Sequence, residues 1–169
     1  HIIGKTMTLL GAGGAATAIC VQAALDGVAQ IRIFKRKNES WQSSYDFALK
    51  ISKETSCYVT LHDLEDKNDL KKSILESAIL VNATNVGMHP QIEESLVTDD
   101  MLFPSLIVSD IIYNPMKTKL LLQAQHAGCN YCNGLYMLLY QGAASFECWT
   151  GHKMPIAEIK KKFFTNKGD

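Results

Sequence analysis

The 169-residue chain is about one domain long at roughly 150 residues per domain, and its 47% apolar and 20% charged residues exclude a disordered or fibrous polymer. Seventeen Lys and Arg balance seventeen Asp and Glu, so the chain lacks the broad positive field of a general nucleic-acid or anionic-membrane binder. Its apolar runs, such as Ser105-Leu106-Ile107-Val108, fall far short of the ~20 residues that span a bilayer. The expectation is a soluble, cytoplasmic globular domain. Because the chain starts at His1-Ile2-Ile3-Gly4-Lys5, without an initiator Met or a signal-like segment, it is expected to be part of a longer protein.

Thr6 to Leu10 reads as a short buried strand, which runs into Gly11-Ala12-Gly13-Gly14-Ala15-Ala16 and then a helix from Thr17 to Leu25. Gln30 to Phe34 is a second strand, followed by the basic cluster Lys35-Arg36-Lys37. A helix over residues 38–55 carries an apolar stripe of Trp41, Tyr45, Ala48, Leu49 and Ile51. Cys57–Leu61 is a third strand, residues 69–77 a polar helix, and Ala78–Asn82 a fourth strand. Leu106–Asp110 and Cys129–Cys132 are the fifth and sixth strands, with helices over residues 117–127 and 135–149. Met154 to Phe164 suggests a tail helix starting near Pro155, packed on this sheet or on another domain. Strands alternating with helices imply parallel right-handed crossovers. The predicted fold is therefore α/β: a doubly wound parallel six-stranded sheet of the Rossmann type, in order 3-2-1-4-5-6, over residues 1–153, with a helical tail over 154–169.

The spacing Gly11-x-Gly13-x-x-Ala16, after a strand and opening a helix, fits a dinucleotide fingerprint. Gly11 permits the tight turn, Gly13 lets a pyrophosphate approach the backbone, and Ala16 lets helix and sheet pack closely. The free amides of the helix start favour the phosphates. A site for NAD usually carries an acid about 20 residues past the glycines. Lys35, Arg36, Lys37 and Asn38 stand there instead, and these cations suit a 2′-phosphate, with Arg36 as a planar fork. The cofactor read from this cluster is NADP, with NAD as the alternative.

The five cysteines form an odd, scattered set that fits a reducing compartment. Cys129-Asn-Tyr-Cys132 has CxxC spacing, but no second pair accompanies it, so it reads as strand rather than as a redox or zinc motif. No histidine has a ligand-like partner, and no metal is expected. Asp110 reads as an acid anchoring the backbone, and Thr118 as support for a helix start. Gln141 lies one helical turn beyond Met137, and residues alone leave its role open.

Three later segments, Asn82–Met88, Asp110–Thr118 and Asn133–Gly142, lie where strands end. With the glycine loop and the basic cluster they resemble the C-terminal, nucleotide-binding half of the shikimate dehydrogenase family, which includes the quinate/shikimate branch. The resemblance implies that Gly11, Ala12, Gly13, Gly14 and Ala15 line the pyrophosphate and that Lys35 to Asn38 meet the adenosine ribose. Thr84 and Asn85 would lie along the cofactor, with Ile111, Ile112, Tyr113 and Asn114 beneath the nicotinamide ribose. Gly134 and Met137 would flank the ring, while Tyr113 and Gln141 would face shikimate, 3-dehydroshikimate or quinate. Lys35 stands where the family commonly has Asn, and Tyr136 where it often has Gly, which implies a ring pocket that is narrower or arranged differently. The family's Lys–Asp proton-transfer pair belongs to an N-terminal catalytic domain, expected to be absent here, so no residue of this chain is assigned a catalytic role. A homodimer is left open. The alternatives are a non-catalytic NAD(P)-binding or sensing module and a related enzyme such as a methylenetetrahydrofolate dehydrogenase. The second is weakened by Tyr113-Asn114-Pro115 and Met137–Gly142.

Overall fold

The computed structural model describes residues 1–164. In β1 (Thr6–Leu10), Met7 and Leu9 enter one core layer and Leu10 the other, because successive side chains leave a strand on opposite faces. The same alternation recurs in β2 (Gln30–Lys35), where Ile31 and Ile33 oppose Phe34. It recurs again in β4 (Ile79–Asn82), where Ile79 and Val81 oppose Leu80. With β3 (Tyr58–Asp63), β5 (Ile107–Asp110) and β6 (Asn130–Cys132), these strands form one six-stranded sheet in order β3-β2-β1-β4-β5-β6. Every pairing is parallel. Apolar runs buried on both faces are what such a sheet requires.

Helices α1 (Gly14–Leu25) and α2 (Trp41–Glu54) cover one face through Ala16, Cys20, Ala23, Ala48 and Ile51. Helices α3 (Lys67–Leu75) and α4 (Lys119–His126) cover the other through Leu70, Ile74, Leu121 and Ala124. Asp66 accepts from the Asp69 N–H to cap α3, and Thr118 accepts from the Leu121 N–H to cap α4. Helices α5 (Leu135–Thr150) and α6 (Ile156–Phe163) differ: Leu139 is the one buried residue of α5, and α6 has none.

Four expectations need correction. Helix α1 begins at Gly14 rather than Thr17, so the glycine loop passes straight into helical backbone. Helix α2 begins at Trp41 rather than residue 38, because the Asn38 carboxamide oxygen accepts from the Ser40 N–H and hydroxyl and holds a turn there. The strict strand–helix alternation fails between β4 and β5. A single 3-10 turn, Asp99–Met101, interrupts that connection, and Val97, Met101, Leu102 and Leu106 cover the sheet in place of a helix. The tail lies against α5 rather than the sheet: the Phe164 and Tyr136 rings are 5.8 Å apart, and Lys160 Nζ sits 4.7 Å from the Tyr136 ring centre. Residues 165–169 of the expected tail lie outside the described residues.

Candidate functional site

The strand order reverses between β1 and β4, and a crevice opens beyond their carboxyl ends, where open α/β sheets bind ligands. Two cavities occupy it. One, of about 520 Å³, is lined by Gly11, Ala12, Arg36, Asn38, Ser40 and Glu65 among others. The second, of about 650 Å³, is lined by Gly14, Ala15, Ile111, Tyr113, Asn114 and Met137 among others. Gly13, Ala83, Thr84 and Asn85 border both, so the two form one elongated crevice with the glycine loop at its middle.

The glycines are constrained differently. Gly11 has φ +104°, and a Cβ there would lie 2.7 Å from the Ala83 carbonyl oxygen, so the fold itself demands glycine. At Gly13 and Gly14 a Cβ would meet no protein atom within 4 Å, and neither residue has positive φ. Nothing within the protein therefore requires glycine at these two positions. Helix α1, which starts at this point, has no side-chain cap and no acid in its first turn, so its amide donors and positive dipole end face the crevice uncompensated.

At the first cavity the basic cluster divides into three environments. Lys35 is 8% exposed, and its ammonium donates to the hydroxyls of Ser40 (2.6 Å) and Ser44 (3.1 Å), with no carboxylate in ion-pair range among the described residues. Burial lowers this ammonium below the usual lysine range. Lys37 turns to Asp63, at 3.2 Å, and to the Trp41 ring, 5.7 Å from its centre. Arg36 makes no hydrogen bond or ion pair within the described residues, so its fork is available. Of the three cations expected there, with Arg36 as the planar fork, Arg36 is the uncommitted one.

The second cavity is held from beneath by a buried polar network. Asn82, at the end of β4, accepts from the Thr84 N–H (3.2 Å) and hydroxyl (2.7 Å). Its carboxamide nitrogen donates to the Val86 carbonyl (3.2 Å) and to Asp110 (3.1 Å). Asp110, fully buried at the end of β5, also accepts from the Ile112 N–H (3.0 Å) and the Thr118 hydroxyl (2.7 Å). Burial pushes the Asp110 carboxyl up, and the three donors oppose that rise. The expected anchoring roles of Asp110 and Thr118 thus take concrete form: together they tie the loops after β4 and β5 to the start of α4.

Gly134 packs so closely that a Cβ would lie 1.7 Å from the Ile111 carbonyl oxygen, and its N–H donates to the Ile112 carbonyl (3.0 Å). Tyr113 and Met137 are exposed at the second cavity. Gln141 is exposed one turn further along α5 and lines neither cavity. Tyr136 turns away from the second cavity, toward Tyr131, Lys160 and Phe164, and lines neither cavity of the crevice. Ser40, Glu65, Gln91 and Glu94 line the first cavity, and Met88 and His89 the second, without having been singled out from the sequence. Ser40 had a readable signal as a helix N-cap; the other residues sit in connections without periodicity. Among the described residues no group of three or more His, Cys, Asp or Glu side chains could hold a metal ion, and no helix is long and apolar enough to cross a membrane.

Comparison with known proteins gives a consistent picture. A family model described as the Shikimate 5'-dehydrogenase C-terminal domain matches residues 134–162. The chain is 52% identical over 164 residues to a shikimate dehydrogenase (NADP(+)) of Listeria monocytogenes serotype 4b, covering 96% of this chain and 56% of that relative. The crystal structure of shikimate 5-dehydrogenase from Listeria monocytogenes in complex with shikimate and NAD superposes with a TM-score of 0.88 at 52% identity, over 95% of this chain and 56% of that one. A shikimate dehydrogenase in complex with NADP+ superposes with a TM-score of 0.79 at 32% identity, over 95% and 54%. This chain therefore spans a little over half the length of the relatives it matches.

Proposed function

The chain belongs to the shikimate dehydrogenase family, and on that premise we propose that it forms the cofactor-binding half of an NADP-dependent shikimate or quinate dehydrogenase. The observation that carries this reading is the pair Gly13 and Gly14, which stay small where no protein atom needs the space, at the bare start of α1. A pyrophosphate fits that opening by size and by charge.

In this reading the backbone from Gly11 to Ala15 receives the pyrophosphate. The first cavity takes the adenosine, with Lys35, Arg36, Lys37 and Asn38 around its ribose and the free Arg36 fork on a 2′-phosphate. The second cavity takes the nicotinamide: Thr84 and Asn85 lie along the cofactor, and Ile111 to Asn114 under its ribose. The Gly134 backbone and Met137 border the ring. When bound, the nicotinamide supplies the hydride acceptor or donor. Tyr113, at the open side of the cavity, faces the substrate, and the exposed Gln141 would reach it across a closed cleft. The residues of this chain hold the ring and shield one of its faces; the proton transfer is assigned to the additional length that the relatives carry. The five free thiols fit a cytoplasmic setting.

Calorimetric titration with NADP+ and NAD+ tests the reading. The chain should bind NADP+ more tightly, and Arg36→Ala should weaken NADP+ by about tenfold or more while changing NAD+ by less than about threefold. A clear NAD+ preference in the native chain would refute the NADP assignment. Shikimate turnover by this chain alone would refute the division of labour.

A further inference from the structure

We propose that Asp110 makes the crevice select the oxidised, positively charged form of its cofactor over the neutral reduced form. The proposal rests on the reading of the second cavity as the nicotinamide seat.

Asp110 is 0% exposed, and each of its three partners donates to it: the Asn82 carboxamide, the Ile112 N–H and the Thr118 hydroxyl. The Asn82 nitrogen and the Ile112 N–H can only donate, both to Oδ1, and with the Thr118 hydroxyl on Oδ2 the three donors favour the carboxylate. All three donors are neutral. No Lys, Arg or His lies in ion-pair range of it among the described residues. A buried anion without a counter-cation is costly, and natural folds rarely keep one without a use. Asp110 immediately precedes Ile111, Ile112, Tyr113 and Asn114, which wall the second cavity. A ring seated there has a full negative charge just behind its wall, in surroundings that screen poorly. The remaining lining offers no acid, and His89 is its one basic side chain. The oxidised nicotinamide carries +1 and the reduced ring carries none, so this field favours the oxidised form.

An anchor and a charge make different predictions. Loss of an anchor weakens both redox forms alike; loss of the charge weakens only the cationic one. The test measures dissociation constants for NADP+ and NADPH on native, Asp110→Asn and Thr118→Val protein at pH 8. Asp110→Asn should weaken NADP+ about tenfold and NADPH by less than about twofold. Thr118→Val removes an anchoring donor but keeps the charge, and should leave the ratio of the two constants unchanged. Equal weakening of both forms by Asp110→Asn, or an equal change of ratio in Thr118→Val, overturns the proposal. Should Asp110→Asn fail to fold, carboxyl ¹³C NMR of the native protein decides. Its Asp110 midpoint must be lower with NADP+ bound than with NADPH, and identical midpoints overturn the proposal. Failure of the native chain to bind either form refutes the function reading itself, and this inference with it.

Discussion

The two ends of the crevice each bury one charge without a counter-ion, and the signs are opposite. At the end of β2 Lys35 donates to two hydroxyls, of Ser40 and Ser44, both within nine residues in sequence. At the end of β5 Asp110 is held by Asn82, 28 residues back, as well as by Ile112 and Thr118. The first end is a local device built from one strand end and the helix that follows. The second joins two strands, a loop and the start of α4. A local device can change in sequence without disturbing the sheet, whereas a network spanning several elements constrains them all. The end at β2 is therefore where the crevice is adjustable, and the end at β5 is where the fold is fixed; in the proposed reading these are the adenosine and nicotinamide ends.

The strongest way to break this contrast is at Gly134. A Cβ would lie 1.7 Å from the Ile111 carbonyl oxygen, and the obstacle is backbone rather than a flexible side chain. Gly134→Ala must push α5 away from the loop after β5 and stretch the Gly134 N–H bond to Ile112. We expect a loss of about 4 kcal/mol or more in denaturant unfolding, in the range reserved for severe backbone and packing conflicts. Gly13→Ala, with open space around its Cβ, should cost no more than the ordinary propensity difference and should act on nucleotide binding instead. Equal destabilisation by the two variants would erase the distinction between a glycine required by the fold and one required by a ligand.

Sequence alone reached the sheet order and the glycine loop because both rest on local signals: apolar runs of strand length, and small residues at fixed spacing. It did not reach the fate of Lys35 or Lys37. Which of three adjacent cations stays free depends on where Ser40, Ser44, Asp63 and Trp41 come to lie, and that is tertiary information. The missing helix between β4 and β5 escaped for a related reason. Val97, Met101, Leu102 and Leu106 bury themselves from irregular backbone and leave no helical period to read. Tyr136 and Met137 part company because a helix turns adjacent residues about 100° apart, so Met137 lines the second cavity and Tyr136 does not.

A smaller effect is expected at Lys35. Lys35→Met removes the charge but leaves both hydroxyls with acceptors, since Ser40 still donates to Asn38 (2.9 Å) and Ser44 to the Ser40 carbonyl (3.0 Å). Stability should change little or rise, because a buried charge disappears. Affinity for NADP+ should fall about fourfold, less than in Arg36→Ala, and that for NAD+ should change less still. The pH dependence gives a second check. A lysine whose folded value is lowered binds fewer protons than in the unfolded chain between that value and the ordinary one. In native protein stability should therefore climb as pH rises through this window, and the slope should vanish in Lys35→Met. Equal losses for both nucleotides would mean that Lys35 only braces α2.

The smallest effect should be at Lys37, whose side chain is 67% exposed although it pairs with Asp63 at 3.2 Å. Solvent screens such a pair, and its charge is already engaged by Asp63. Lys37→Ala should therefore change NADP+ affinity by less than about threefold. The carboxyl of Asp63 is held below its usual range first by the Glu65 N–H, with Lys37 only a later contributor. The substitution should raise the Asp63 midpoint in a ¹³C NMR titration without restoring it to the ordinary value. A loss of NADP+ affinity as large as that expected for Arg36→Ala would show that the three cations act together, and the division of the cluster into one free and two committed side chains would fall.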